Sequence, residues 1–145
     1  MGSVRWMDSD EKSALQELYE RLAKTLDEQR TKARDKRHEL SFRTARENLQ
    51  DIVDPDSFVE YGQLAVAAQR NRRDYEELQN STAADGIITG LCTINSELVG
   101  ADAAKAIIII NDYSVLAGTQ GFFHHKKLDR MCDLADRLAL PVIMY

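Results

Sequence analysis

The apolar residues of this chain change their spacing once, near Ser57. Before it they recur every three or four positions, and after it they fall in short continuous runs. Leu15, Leu18, Tyr19, Leu22 and Leu26 form one helical stripe, and Asp8 with Glu11 three residues on makes a capping-box pair ahead of it. Beyond Leu26 the stripe ends, and Arg30, Lys32, Arg34, Lys36, Arg37 and His38 dominate. This second half is helix-compatible with little to bury, so it is expected on the surface or projecting toward a partner. Thr44 and Glu47 form another capping-box pair before Ala45, Leu49, Ile52 and Val53, and Asp54-Pro55-Asp56 stops that helix.

Phe58 to Tyr61 reads as a short strand closed by Gly62. Leu64 to Ala68 is either extended or the start of another element. Residues 70–84 are polar and predict a loop, with one helical turn at Tyr75 to Leu78. Ile87-Ile88-Thr89 and Leu91 to Ile94 form a β segment interrupted by Gly90, which marks a bulge or a close backbone approach. Asn95 to Gly100 is a turn region. Ala106 to Ile110 is apolar on both faces, as suits the interior of a covered sheet. Lys127, Leu128, Met131, Leu134, Ala135 and Leu138 then place a stripe on a helix from about Phe123 to Ala139. Pro141 precedes a last strand, Val142 to Tyr145. Strand, helix and strand in so short a span predict a right-handed crossover with parallel strands.

Composition narrows the class. A chain of 145 residues is long enough for one domain that buries about two-thirds of its unfolded surface. A net charge of -5 gives no general attraction to nucleic acid or anionic lipid, so neither is an expected partner. The apolar runs are strand-sized, too short to span a bilayer, and the start lacks the apolar core of a secretory signal. Cys92 and Cys132 stand alone on a strand and a helix, and read as thiols in a reducing cytoplasm.

The candidate chemistry centres on Gly118-Thr119-Gln120-Gly121, between a buried strand and a helix. Backbone amides in such a turn, with the positive end of the helix, can receive a phosphate or a thioester carbonyl. The spacing is neither a P-loop nor a dinucleotide fingerprint, and by itself it reads as a tight turn without ligand. Arg70, Arg72 and Arg73 have the fork geometry that binds phosphate, against the plainer reading of a solvated loop. The Arg30 to Arg37 stretch carries the same two readings, with a solvated helix face as the default. His124 and His125 read as surface or partly packed histidines, because adjacent helix residues point apart. No spacing supports a metal site or a nucleophile–base pair.

Three motifs in series carry a resemblance. Ala45-Arg46-Glu47 through Asp54-Pro55-Asp56-Ser57-Phe58-Val59-Glu60, then Asp85-Gly86-Ile87-Ile88-Thr89-Gly90, then Asp112 to Gly121 with Lys126 to Arg130 and Pro141-Val142, resemble successive segments of one family. It is the carboxyltransferase domain (amino-terminal half) of biotin-dependent acyl-CoA carboxylases of the acetyl-/propionyl-CoA carboxylase type. The resemblance implies an α/β fold of the crotonase (ClpP-like) kind built from ββα units, incomplete here. Residues 1–56 would form a helical arm, and 57–145 the first part of the carboxyltransferase domain. The implied reaction moves CO2 from carboxybiotin to the α-carbon of an acyl-CoA. Biotin would be carried on a separate carrier protein or domain. The implied partners are the biotin carboxylase and biotin carrier components and further copies of the chain, in the cytoplasm.

Charge developing on the thioester oxygen needs backbone donors, each contributing about 3–4 kcal/mol in comparable acyl sites. By resemblance those donors lie past Tyr145 and in a second homologous domain, so no catalytic residue is assigned here. Gly118, Thr119, Gln120 and Gly121, with Arg72 and Arg73, are assigned to the acyl-CoA site. The expectation is an amino-terminal portion, inactive alone, whose Val142 to Tyr145 edge invites self-association. A non-catalytic CoA-binding or subunit-assembly module is the alternative, and an unrelated α/β nucleotide-binding domain is a weaker third. The acyl group and the direction of the reaction stay open.

Overall fold

A computed structural model of the chain describes residues 13–145, so the Asp8–Glu11 capping pair lies outside the described residues. Helices α1 (Ala14–Ala23), α2 (Thr31–Glu39) and α3 (Ala45–Ile52) lead into a four-stranded sheet. The strands are β1 (Val59–Glu60), β2 (Ile87–Thr93), β3 (Lys105–Asn111) and β4 (Val142–Met144), and they lie in sequence order across the sheet. Strands β1–β2 and β2–β3 pair antiparallel. Helix α6 (Phe122–Leu138) crosses over, and β4 then pairs parallel to β3 with Ile107 opposite Val142. The order β2, β3, α6 is one ββα unit, and its parallel return is the one expected from sequence. Two short helices, α4 (Tyr75–Ser81) and α5 (Ser96–Val99), sit in the connections.

Strand β3 is the centre of the molecule. Ile107, Ile108, Ile109 and Ile110 are each at most 1% exposed, so both faces are covered. On one face Ile108 and Ile110 pack with Ile88 and Cys92 against Ala45 and Leu49 of α3. On the other, Ile107 and Ile109 pack with Ile87 against Met131 and Ala135 of α6. The alternation of one strand thus assigns a helix to each side. Each buried isoleucine contributes about 1.5–3 kcal/mol relative to exposure. Helix α3, on the amino-terminal side of the expected 1–56 division, therefore supplies part of the sheet's core. Its capping box is formed: the Thr44 hydroxyl accepts from the Glu47 amide and the Glu47 carboxylate accepts from the Thr44 amide. A buried ion pair ties it to β1, with both Arg46 Nη atoms donating to the Glu60 carboxylate at 2.6 and 3.0 Å.

Local outcomes differ from the pattern in four places. The long basic helix is broken at 24–30, giving α1 and α2 as separate elements. The apolar stripe of α1 is largely open, with Leu15, Leu18 and Tyr19 exposed. The single turn expected at Tyr75 is a two-turn helix that buries Leu78 against Val66 and Ala67. Asn95 to Gly100 contains the short helix α5, whose first amides donate to the Asp54 carboxylate. The side chains of Ser96 and Thr93, followed by these backbone amides, hold Asp54 down to a pKa of about 2.

Gly90 resolves to a close approach within a continuous strand. A Cβ there would lie 2.3 Å from the Val59 carbonyl oxygen and 2.5 Å from the Phe58 ring. Gly90→Ala should therefore force β1 and Phe58 away from β2. A loss of about 2 kcal/mol or more is expected by urea denaturation, with faster amide exchange at Tyr61, whose N–H donates to Thr89.

Candidate functional site

Beyond β3 the chain enters a loop anchored by Asp112. Its side chain is buried, accepts from the Ser114 amide at 2.9 Å, and faces Arg30 Nη1 at 2.7 Å. Arg30 Nη2 also donates to Ser114 Oγ at 2.9 Å. Burial raises the Asp112 pKa, but the Arg30 charge and the hydrogen bonds outweigh it and hold the carboxyl below its ordinary value. Arg30 is therefore no solvated face residue. It ties the α1–α2 connection to the loop across 82 residues of sequence.

The loop then makes a tight turn in which Leu116, Ala117 and Gly118 all have left-handed φ, at 46°, 52° and 79°. The Gly118 amide donates to Val115 and the Thr119 amide to Leu116, so both are used within the turn. At Gly121 a Cβ would come 2.9 Å from each oxygen of the Asp85 carboxylate, an approach open only to glycine. Asp85 is buried and its Oδ2 accepts from the His124 amide at 2.8 Å. The positive end of α6, expected to await an anion, already holds this carboxylate. Gly118 to Gly121 are thus brought together as one exposed or half-exposed turn, braced from beneath by Asp85.

Asp85 itself sits in a second left-handed segment, Ala84, Asp85 and Gly86, at φ 53°, 49° and 74°. Each non-glycine residue so held costs about 1–3 kcal/mol and persists only under strong external constraint. The constraint comes from α6. The Lys127 ammonium group, on a buried side chain, donates to Ala84 O at 2.9 Å and to Ile87 O. His124 Nδ1 lies 3.2 Å from Asp85 O, which assigns the proton to Nδ1 and leaves the buried Nε2 a bare acceptor. Burial lowers the His124 pKa, assisted by the His125 and Lys127 charges and opposed by the backbone hydrogen bond and the charge of Asp85. Burial also pulls Lys127 down to about 8, with Glu60 and Asp85 opposing and Arg46 assisting.

Beside the turn lies a cleft of about 680 Å³, lined by residues 64–68 with Arg70, Asn71, Tyr75 and Phe123. Phe123 is two residues past Gly121, so cleft and turn adjoin. The Arg70 guanidinium stacks 4.0 Å from the Tyr75 ring centroid, and Arg21 Nη2 donates to the Tyr75 hydroxyl at 2.7 Å. Of the three loop arginines only Arg70 lines the cleft. Arg73 is engaged by Glu77 and Ser81, and Arg72 is exposed outside it. His124 is fully packed while His125 is exposed. Sequence reasoning missed the cleft, Asp85, and the roles of Arg30 and Lys127. Only Lys127 left a signal, as a charge at a position of the apolar stripe of α6.

The comparisons with known proteins agree with this architecture. No family model matches the chain. It is 31% identical over 136 residues to the propionyl-CoA carboxylase beta chain of Cereibacter sphaeroides, covering 91% of this chain and 24% of that one. It is 30% identical over 126 residues to the methylmalonyl-CoA decarboxylase subunit alpha of Veillonella parvula, covering 87% and 23%. Among solved structures, a single-chain, multi-domain long-chain acyl-CoA carboxylase superposes with a TM-score of 0.90 at 52% identity, over 93% of this chain and 14% of that one. The chain is a relative of the carboxyltransferase components of biotin-dependent acyl-CoA carboxylases. Transcarboxylase 12S, at 22% identity and a TM-score of 0.68, shares the fold. The fold is the crotonase-like one expected from the motifs. The chain spans about a quarter of the length of the curated relatives it matches. Among the described residues, no helix is long and apolar enough to cross a membrane.

Two outcomes test the polar framework. Arg30→Met leaves the Asp112 carboxylate buried without its cation and should cost about 3–5 kcal/mol in denaturant unfolding. Lys127, with its folded pKa depressed from 10.5 to about 8, binds fewer protons folded than unfolded between those values. Its share of stability therefore rises with pH from about 8 to 10.5, by an amount on the order of 3 kcal/mol. Unfolding free energies of wild type and Lys127→Met across that range should diverge with this sign.

Proposed function

We propose that these residues form an acyl-CoA-facing part of a carboxyltransferase. The reaction moves CO2 from carboxybiotin, delivered on a separate carrier protein or domain, to the α-carbon of an acyl-CoA. The α-carbon loses a proton and gains the carboxyl group; the biotin ureido nitrogen loses the carboxyl group and regains a proton. The observation that supports this reading most is the junction of cleft and turn at Phe123, within a fold 52% identical to a long-chain acyl-CoA carboxylase. An apolar cleft walled by Tyr75, with an arginine stacked on it, suits a flat ring joined to phosphates. The turn Gly118 to Gly121 then borders the thioester arm, and Arg72, exposed on the adjoining loop, is open to phosphate, whereas Arg73 would first have to leave Glu77 and Ser81. The amides of Gly118 and Thr119 are spent inside the turn, so these residues bind and orient while the oxyanion donors come from elsewhere.

On this reading the chain works in the cytoplasm, beside biotin carboxylase and biotin carrier components and in a homo-oligomer. Isothermal titration of the chain with propionyl-CoA tests it. Binding without carboxylation, even with a carboxybiotin donor supplied, is expected. Arg70→Ala should weaken that binding about fivefold to tenfold. Absence of binding at millimolar thioester would overturn the reading.

A further inference from the structure

We propose that Lys127, Asp85 and His124 are a positioning unit for the Gly118 to Gly121 turn. They hold the left-handed Ala84–Gly86 segment in place, and the Asp85 carboxylate so fixed sets where Gly121 and the start of α6 lie. This inference rests on the acyl-CoA reading for its functional consequence, though its structural half does not.

Four consecutive carbonyl oxygens carry the argument. Ala84 O and Ile87 O accept from Lys127, Asp85 O from His124 Nδ1, and Gly86 O from the Asp112 amide at 2.8 Å. The three donors, Lys127, His124 and Asp112, lie more than twenty residues away, on α6 or at the exit of β3. A segment held so completely from outside has one position. Its side chain then acts in return: the Asp85 carboxylate takes the His124 amide and lies so close to Gly121 that a Cβ there would come within 2.9 Å of both its oxygens. Val115, in the loop before the turn, occupies the space beside Gly86, where a Cβ would come within 3.3 Å of it. Strand β2, the loop and α6 are thereby locked together beneath the turn. Lys127 keeps both carbonyl bonds in either protonation state, since a neutral amine still has two hydrogens to donate. The charged groups facing it are Glu60 on β1, Arg46 on α3 and Asp85.

Hydrogen exchange on the whole chain tests the unit, comparing Lys127→Met with Leu49→Ala, a core variant on the opposite sheet face. In Lys127→Met the amides of residues 85–87 and 121–124 should exchange at least tenfold faster than those of α3, whereas Leu49→Ala should speed exchange evenly. Even acceleration in both variants overturns the proposal. If Lys127→Met does not fold, Asp85→Asn replaces it with the same expectation. Propionyl-CoA should bind about tenfold more weakly to Lys127→Met. Gly121→Ala, which pushes a methyl against Asp85, should reproduce that loss while the pH step of Lys127 stays intact. A loosened turn with unchanged propionyl-CoA affinity refutes the positioning role. If wild type binds no thioester, the functional reading fails and the exchange pattern alone decides the unit.

Discussion

Everything in this fold follows from the need to cover β3 on both faces. Four isoleucines in succession send side chains alternately up and down, and none is more than 1% exposed. One helix cannot satisfy them. Helix α3 must come from before the sheet and α6 from within the crossover, so the sheet lies between two helices of separate origin. The parallel return of β4 is the consequence, since α6 crosses the face before the chain re-enters the sheet.

With the sheet held this firmly, its connections can carry strain. Two segments, 84–86 and 116–118, each place three residues in the left-handed region, and both adjoin the start of α6. They are stabilised by polar groups that reach across the sequence rather than along it. Arg30 pairs with Asp112, Lys127 spans Ala84 and Ile87, and Asp85 holds the His124 amide. Each of these is buried, so each would be costly alone and is stabilising only because its partners are complete.

The site inherits its character from that scaffold. The turn at Gly118 to Gly121 is a rigid border rather than an open anion cradle, because its helix end already contains a carboxylate and two of its amides are spent. The adjacent cleft offers area, an aromatic wall and one stacked arginine. Recognition of a large substrate, with chemistry supplied by further residues, is the division of labour that this arrangement suits. Its relatives are multi-domain or multi-subunit acyl-CoA carboxylases of which the chain spans a minor part.

Local sequence determined the elements that local physics controls. The Thr44–Glu47 capping box, the doubly covered isoleucine strand, the α6 stripe and the crossover to Val142 were all legible, because periodicity and caps act within a few residues. The three motifs in series were enough for the family. Only tertiary structure decided that Gly90 marks a close approach, that Arg30 leaves the solvent for Asp112, and that Arg70 rather than Arg73 lines the cleft. It also decided that α6 begins on Asp85. These depend on pairs separated by 31 to 82 residues, and contact with a distant partner leaves no local pattern to read.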